Sequence, residues 1–267
     1  MNTESLLRLL KIRREEATTA FLMALFFFLA LTGASVIKSL QNSLYLSNIG
    51  FDWRLPMLYV SIALLSGPVV LAYRRLSRRN FHWMLSAATL IFLLGGVIFF
   101  SLTLGDGPRI LFPFFYVWGG VFTVLLPIQG WMLSYELYTP GAAKRLFAIF
   151  AAGGIAGGAF GGFYTAWLAG SDGNERLLLH VAVLIVAAGA LLALIHRLNC
   201  THCPDDEFAI RNPSSPTAPD RTPFQFRRVW RSQYLRHLSG MVLLMGAATT
   251  LIDLLYKWVL DSRFEGA

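Results

Sequence analysis

The stretch LFAIFAAGGIAGGAFGGFYTAWLAGS, residues 146–171, contains no charged side chain. It is longer than the roughly 20 apolar residues that a helix needs to cross a bilayer. Its glycines fall into two columns with a period of four residues: Gly153, Gly157 and Gly161, and beside them Gly154, Gly158 and Gly162. On a helix, such columns form a groove without Cβ atoms. In lipid, where close packing rather than the hydrophobic effect joins helices, the groove predicts a tight contact with another helix.

The segment before it, residues 110–135, is also uncharged, but it contains residues that disturb a membrane helix. Pro113 and Pro127 free backbone groups, which neighbouring protein or a wet cavity must then satisfy. The amide of Gln129 is costly to place in hydrocarbon, so we expect it to face protein. The sequence leaves open whether Gln129 contacts a solute or only another helix.

Composition assigns these segments to a membrane protein. Hydrophobic residues make up 55% of the chain and charged residues 14%, and the mean hydropathy is +0.55, which is not the composition of a soluble domain. Further uncharged runs lie at residues 17–37, 55–73, 80–105 and 177–196, and another apolar run covers residues 237–260. We predict an all-α, polytopic membrane helix bundle. It consists of a six-helix transporter half at residues 17–197 and a seventh transmembrane helix with its tail at residues 237–267.

The connections carry most of the charge. Residues 1–16 mix leucines with basic side chains and are expected to form an interfacial amphipathic helix. Residues 198–236 are rich in proline and arginine and are expected to form a linker. Lysine and arginine concentrate in alternate connections, so the positive-inside rule predicts that the N-terminus and the linker are cytoplasmic. Topology thus accounts for the net charge of +8 without a nucleic-acid partner.

Two local patterns resemble motifs of the major facilitator superfamily. Arg74, Arg75, Arg78 and Arg79 lie in the sequence RRLSRR, which is similar to the family's Asp-Arg-x-Gly-Arg-Arg loop, with Arg74 at the position of the acid. The glycine columns resemble the antiporter motif, with Gly158 where proline is usual. Six helices, a basic linker and a new helix are also the layout of the first half of a transporter built from two repeats. The resemblance implies a half that needs a second half, or a second copy, in order to transport.

A further resemblance is to bacterial relatives of the ATP/ADP translocases, and it implies an integral protein of a bacterial inner membrane. It is carried by SVIKSLQNSL at residues 35–44, YVWGGVF at residues 116–122 and AAKRLF at residues 142–147. Two positions differ from that family: its Lys-Asp pair after helix one is Gln41-Asn42 here, and an acid in helix four is Tyr116. The solute class that this resemblance implies is a nucleotide or another organic anion.

Four residues are predicted to belong to a solute pathway: Lys38, Asn42, Tyr116 and Gln129. We expect Lys38 to end helix one, where it either attracts an anionic solute or extends to the membrane interface. Asp253 and Lys257 are spaced i,i+4 in the seventh helix and are expected to form an ion pair.

Catalysis and cofactors have little support in the sequence. Cys200 and Cys203 form a single Cys-x-x-Cys, which is an incomplete metal signature, so we expect no metal. The sequence contains no phosphate-binding Walker loop and no Ser/His/Asp or paired-carboxylate set at membrane depth, and we therefore predict neither a cofactor nor an enzyme.

Two classes of function fit the sequence. The first is secondary-active transport of a small solute through an incomplete transporter half. The alternative is a membrane interaction module or fragment, whose helices pack together and contact lipid but bind no solute.

Overall fold

The computed structural model describes residues 14–77, 82–103, 107–138, 140–169, 174–200 and 233–264. Within these ranges, seven helices are long and apolar enough to cross a membrane, which confirms the predicted all-α polytopic bundle. Their bounds are α1 Arg14–Asn48, α2 Arg54–Ser77, α3 His82–Thr103, α4 Leu111–Leu137, α5 Pro140–Ala169, α6 Asn174–Cys200 and α7 Gln233–Phe264. The expected surface helix, the linker, Arg78, Arg79 and Cys203 lie largely or wholly outside the described ranges.

Helix α1 is longer than the sequence predicted. Its 35 residues give a length of about 50 Å, compared with about 30 Å of hydrocarbon in a bilayer. The prediction that Lys38 ends this helix is wrong, because α1 continues for ten further residues to Asn48. The helix contains no proline and passes through Gly33 without a break, and it ends just before Gly50, which has a φ of 82°. This left-handed conformation is the usual end of a helix and is easily adopted by glycine.

The chain divides into two compact units. The first comprises residues 1–49 and 57–203, and the second comprises residues 50–56 and 204–267. In the first unit α1 is central and packs most extensively against α5, then against α4 and α6. Helix α3 packs against α6 and α4, whereas the membrane span of α2 is almost entirely exposed. The position of α1 makes it the helix on which interior sites of this unit depend.

Aromatic side chains fill the interior of the first unit. The largest fully buried ones include Phe26, Phe27, Phe115, Phe122 and Phe150. Phe27 of α1 stacks on Phe150 of α5 with ring centroids 5.9 Å apart. Such contacts contribute about 0.5–1.5 kcal/mol beyond buried area in water-soluble proteins. They hold α1 between α4 and α5.

The second unit contains α7, whose apolar side chains are mostly exposed, among them Met241, Leu244 and Ile252. Lys257 differs from its neighbours because its side chain is only 3% exposed. Its Nζ lies 3.1 Å from Asp253 Oδ2, one turn earlier. An ion pair within one helix lowers the cost of placing both groups in a membrane span.

Candidate functional site

One column of glycines brings α5 against the backbone of α1. Each glycine of this column faces a carbonyl group of α1, at intervals of one turn: Gly153 faces Ala24, Gly157 faces Phe28 and Gly161 faces Thr32. A Cβ added at Gly153 would lie 2.5 Å from the facing oxygen, and one at Gly161 would lie 2.7 Å from it. Real Cβ atoms do not approach backbone that closely, so only glycine fits at these positions.

Two hydroxyl groups fix the register of this contact. Thr32 Oγ1 donates to the carbonyl oxygen of Gly157 at 3.0 Å, and Ser35 Oγ donates to that of Gly158 at 3.0 Å. Thr32 Oγ1 also lies 2.7 Å from the carbonyl oxygen of Phe28 in its own helix. All polar side-chain atoms in this contact therefore have partners within protein.

The second glycine column packs less closely than the sequence led us to expect. A Cβ at Gly154 would lie 3.5 Å from Leu31, and one at Gly158 would lie 3.9 Å from Ser35 Oγ, which are ordinary contacts. A Cβ at Gly162 would meet nothing within 4 Å. The reason is geometric, because adjacent residues of a helix lie about 100° apart and cannot both face one partner.

A second contact, between α1, α2 and α4, is polar and aromatic; we call it the tyrosine–amide cluster. Its members are Gln41, Asn42, Tyr45, Tyr59 and Tyr116. Tyr116 Oη donates to Asn42 Oδ1 at 3.1 Å. The rings of Tyr45 and Tyr59 both pack edge-on against Tyr116, with centroids 5.4 Å and 5.9 Å away. The predicted pathway residues Asn42 and Tyr116 are thus in direct contact, although 74 residues separate them in the chain.

Gln41 is the least expected member of the cluster. Its side chain is 5% exposed, and its Oε1 has no hydrogen-bond partner in the part of the chain that the structure describes. This oxygen occupies the space where Gly119 of α4 has no side chain, and a Cβ at Gly119 would collide with it. A buried amide oxygen without a donor costs about 1–3 kcal/mol. Packing alone therefore does not account for a glutamine at position 41.

Lys38 lies on the same face of α1 as the cluster. Residues 38, 42 and 45 are spaced i, i+4 and i+7, which places Lys38 one turn from Asn42. Its side chain is exposed, whereas Tyr45 is buried and Asn42 is half-buried. This face of α1 therefore combines one cation with amide and phenol groups.

Gln129, the fourth predicted pathway residue, lies at a different level. Ten residues separate it from Gly119 on α4, which corresponds to about 15 Å along the helix. Gln129 is fully buried, and neither its Oε1 nor its Nε2 has a partner among the residues described. The structure therefore does not bring Gln129 into the tyrosine–amide cluster. Between the two levels, apolar side chains of α4, Phe122 and Leu126, pack near Gly33 of α1.

Ser134 shows how a buried polar side chain on α4 is otherwise satisfied. It is as buried as Gln129, but its Oγ donates to the carbonyl oxygen of Gly130 at 2.8 Å. Thr123 does the same with Gly120. Gln129 differs from these residues because its helix offers its amide no acceptor or donor.

Other predicted residues play no part in this geometry. Arg75 is exposed, and the side chain of Arg74 is outside the described part of the structure. In the described ranges, no group of three His, Cys, Asp or Glu side chains could hold a metal ion. Asp253 and Lys257 belong to the second unit.

Sequence reasoning did not select Gln41, Tyr45 or Tyr59 as site residues. A signal existed for the first two, because polar or aromatic residues recur at positions 38, 41, 42 and 45 on one face of α1. No pattern within the sequence could add Tyr59, since its place depends on how α2 meets α4.

Comparisons with known proteins leave the site to be interpreted on its own geometry. No protein-family model matches the chain, and neither a curated protein nor a solved structure matches it. The class that the observations define is a polytopic membrane protein with polar groups inside its bundle.

Proposed function

We propose that this protein is half of a secondary-active transporter and that its first unit forms one wall of the pathway for a small solute. The observation that carries the proposal is the fully buried, unpartnered amide of Gln129 inside a membrane bundle. A polar group kept at such a cost is a functional candidate in a membrane protein. Gln129 is fully buried, so a solute would reach it only when the surrounding helices move apart, and it would then supply the hydrogen bonds that the helices do not.

The tyrosine–amide cluster supports the same proposal. It adds a second level of hydrogen-bonding groups, about 15 Å from Gln129 along α4. Transporters of two repeats place their solute between the repeats, near the bilayer midplane. The resemblance to ATP/ADP translocases makes a nucleotide or another organic anion the class to test first. In this proposal the N-terminus is cytoplasmic and the membrane is a bacterial inner membrane.

A pair of substitutions on α4 tests the proposal without knowledge of the solute. Gln129→Leu removes an unpartnered amide, so we expect the free energy of unfolding to rise by about 1–3 kcal/mol. Ser134→Ala removes a hydroxyl that is already bonded within its helix, and we expect little change or a small loss. Thermal unfolding of the purified chain in detergent measures both. If Gln129→Leu is destabilised instead, the amide is structural and the interaction-module alternative is favoured.

Measurements of solute binding by the same two variants test the functional part of the proposal. We expect purified wild-type chain and the Ser134→Ala variant to bind labelled ATP, ADP or a smaller organic anion saturably, whereas Gln129→Leu binds the same solute less tightly. If both variants bound the solute with equal affinity, Gln129 would not be part of the pathway. Liposomes loaded with the bound solute then show whether exchange occurs and whether it requires an added second half or a dimer of the chain.

A further inference from the structure

The tyrosine–amide cluster and the nearby Lys38 define the chemical class of the solute more narrowly than the proposed function does. Lys38 is the one lysine, arginine, aspartate or glutamate within the described membrane spans of the first unit, apart from residues at the span ends. His180 of α6 is a further titratable group there, and its ring packs edge-on against Tyr164 with centroids 5.8 Å apart. Among the residues of this unit that the structure describes, the buried polar side chains are all neutral: Thr32, Gln41, Ser86, Gln129 and Ser134.

This count of charges decides against a solute with several negative charges. Uncompensated charges are expensive in a membrane interior, and neutral amides and hydroxyls compensate them only partly. One lysine balances one negative charge. A triphosphate or diphosphate would bring several charges to spans whose described interior offers a single lysine.

The accessible groups of the cluster fit a flat ring beside that charge. Tyr59 is half-buried, whereas Tyr45 and Tyr116 are buried, so Tyr59 is the most exposed ring of the cluster. Asn42 is also half-buried, and Tyr116 Oη occupies its Oδ1, which leaves the amide nitrogen as the donor for a solute. Lys38 follows one turn away, at about 6 Å between Cβ atoms. A solute that contacts all three groups needs a ring and one acidic substituent.

We infer that the cluster binds a solute with one negative charge and one planar ring, such as an aromatic monocarboxylate. The cationic Lys38 pairs with the carboxylate, the Asn42 amide nitrogen donates to a ring or carboxylate acceptor, and the ring packs on Tyr59. Tyr116 is a positioning residue, because it orients Asn42. This inference rests on the proposed function and narrows its substrate class.

Small probes that differ in one property at a time test the inference on the purified 267-residue chain. Nicotinate and 4-hydroxybenzoate have a ring and one charge, nicotinamide has the ring alone, lactate has one charge without a ring, and ATP has a ring with several charges. We expect the two aromatic monocarboxylates to bind about tenfold more tightly than the other probes, as measured by equilibrium binding.

Substitutions test which residues recognise the negative charge and the ring of the solute. Lys38→Gln should reduce the affinity for nicotinate about tenfold, to that for nicotinamide, and Tyr59→Leu should remove the advantage of nicotinate over lactate. Arg75→Gln is the matched control, since it removes an exposed cation outside the cluster and should leave affinity unchanged. Tyr116→Phe should weaken nicotinate binding by removing the contact that orients Asn42, and Asn42→Asp should abolish it. Melting temperatures of the unliganded variants show that each remains folded.

The outcomes separate this inference from the proposed function. Preferred binding of ATP, or equal binding of nicotinamide and nicotinate, overturns the monoanion inference and leaves transport standing. No binding of any probe, together with stabilisation by Gln129→Leu, also overturns the inference alone. No binding together with destabilisation by Gln129→Leu overturns both.

Discussion

The α1–α5 contact and the tyrosine–amide cluster use the same helix, α1, in opposite ways. Against α5, α1 lies backbone to backbone, and its hydroxyl groups on that face, Thr32 and Ser35, have acceptors. Against α4, α1 inserts Gln41 into the space at Gly119 and leaves its amide oxygen without a donor. The difference shows that glycine serves close approach in one contact and makes room for a polar side chain in the other.

The largest expected effect comes from filling the first contact. Gly157→Leu places an isobutyl group against the Phe28 carbonyl, which is backbone and cannot move aside. Overpacking of a core typically costs about 1–3 kcal/mol and occasionally more, and we expect this variant to exceed that range. Gly162→Leu is the matched control, because its position is open. We expect little folded Gly157→Leu protein in size-exclusion chromatography, and near wild-type yield for Gly162→Leu; equal yields would show that the contact is not tight.

A smaller effect is expected from filling the space at Gly119. A Cβ there meets Gln41 Oε1, the tip of a flexible side chain, and Ile37 Cγ2 at 3.0 Å. Gly119→Ala should therefore cost about 1 kcal/mol or less, because the amide can rotate away. Its main consequence should be weaker solute binding.

A double variant checks this explanation. Gln41→Ala removes the obstructing amide, so Gly119→Ala should cost less stability in that background than in the wild type. Thermal unfolding of the four proteins gives the coupling energy. If Gly119→Ala costs the same in both backgrounds, Gln41 is not what the glycine accommodates.

The smallest expected effect concerns a hydrogen bond between helices. Thr32→Val removes the donor to the Gly157 carbonyl, and hydrogen bonds between membrane helices average about 0.6 kcal/mol. Thr165→Val is the control, since its hydroxyl donates only to the Gly161 carbonyl of its own helix at 2.8 Å. We expect a fall in melting temperature for Thr32→Val alone. A larger fall for Thr165→Val would contradict the importance of the bond between helices.

The fold was largely predictable from the sequence. Uncharged runs of sufficient length predict helices because lipid leaves backbone groups no other partner. The extent of α1 was not predictable in this way, because a lysine does not end a helix, whereas Gly50 does. The spacing of glycines predicted a close contact, but it did not specify α1 as the partner or distinguish the two columns.

The candidate site was only partly predictable. Lys38 and Asn42 share a face by spacing alone, whereas the contact of Asn42 with Tyr116 depends on the register between α1 and α4. That register follows from packing along the whole contact and has no local signal. The unpartnered state of Gln41 and Gln129 likewise becomes visible only when their surroundings are known.

The position of the Thr32 hydroxyl has a consequence for motion. Its single proton lies between two acceptors, the Phe28 carbonyl in its own helix and the Gly157 carbonyl of α5. The hydroxyl proton rotates about the C–O bond while the side chain keeps its rotamer. It donates fully to only one acceptor at a time. When α5 moves away, the proton turns to Phe28 and no donor is left exposed to hydrocarbon. If the two helices separated here, the Thr32 hydroxyl would keep an acceptor, so its desolvation would add less to the cost of separation than that of a hydroxyl with a single partner.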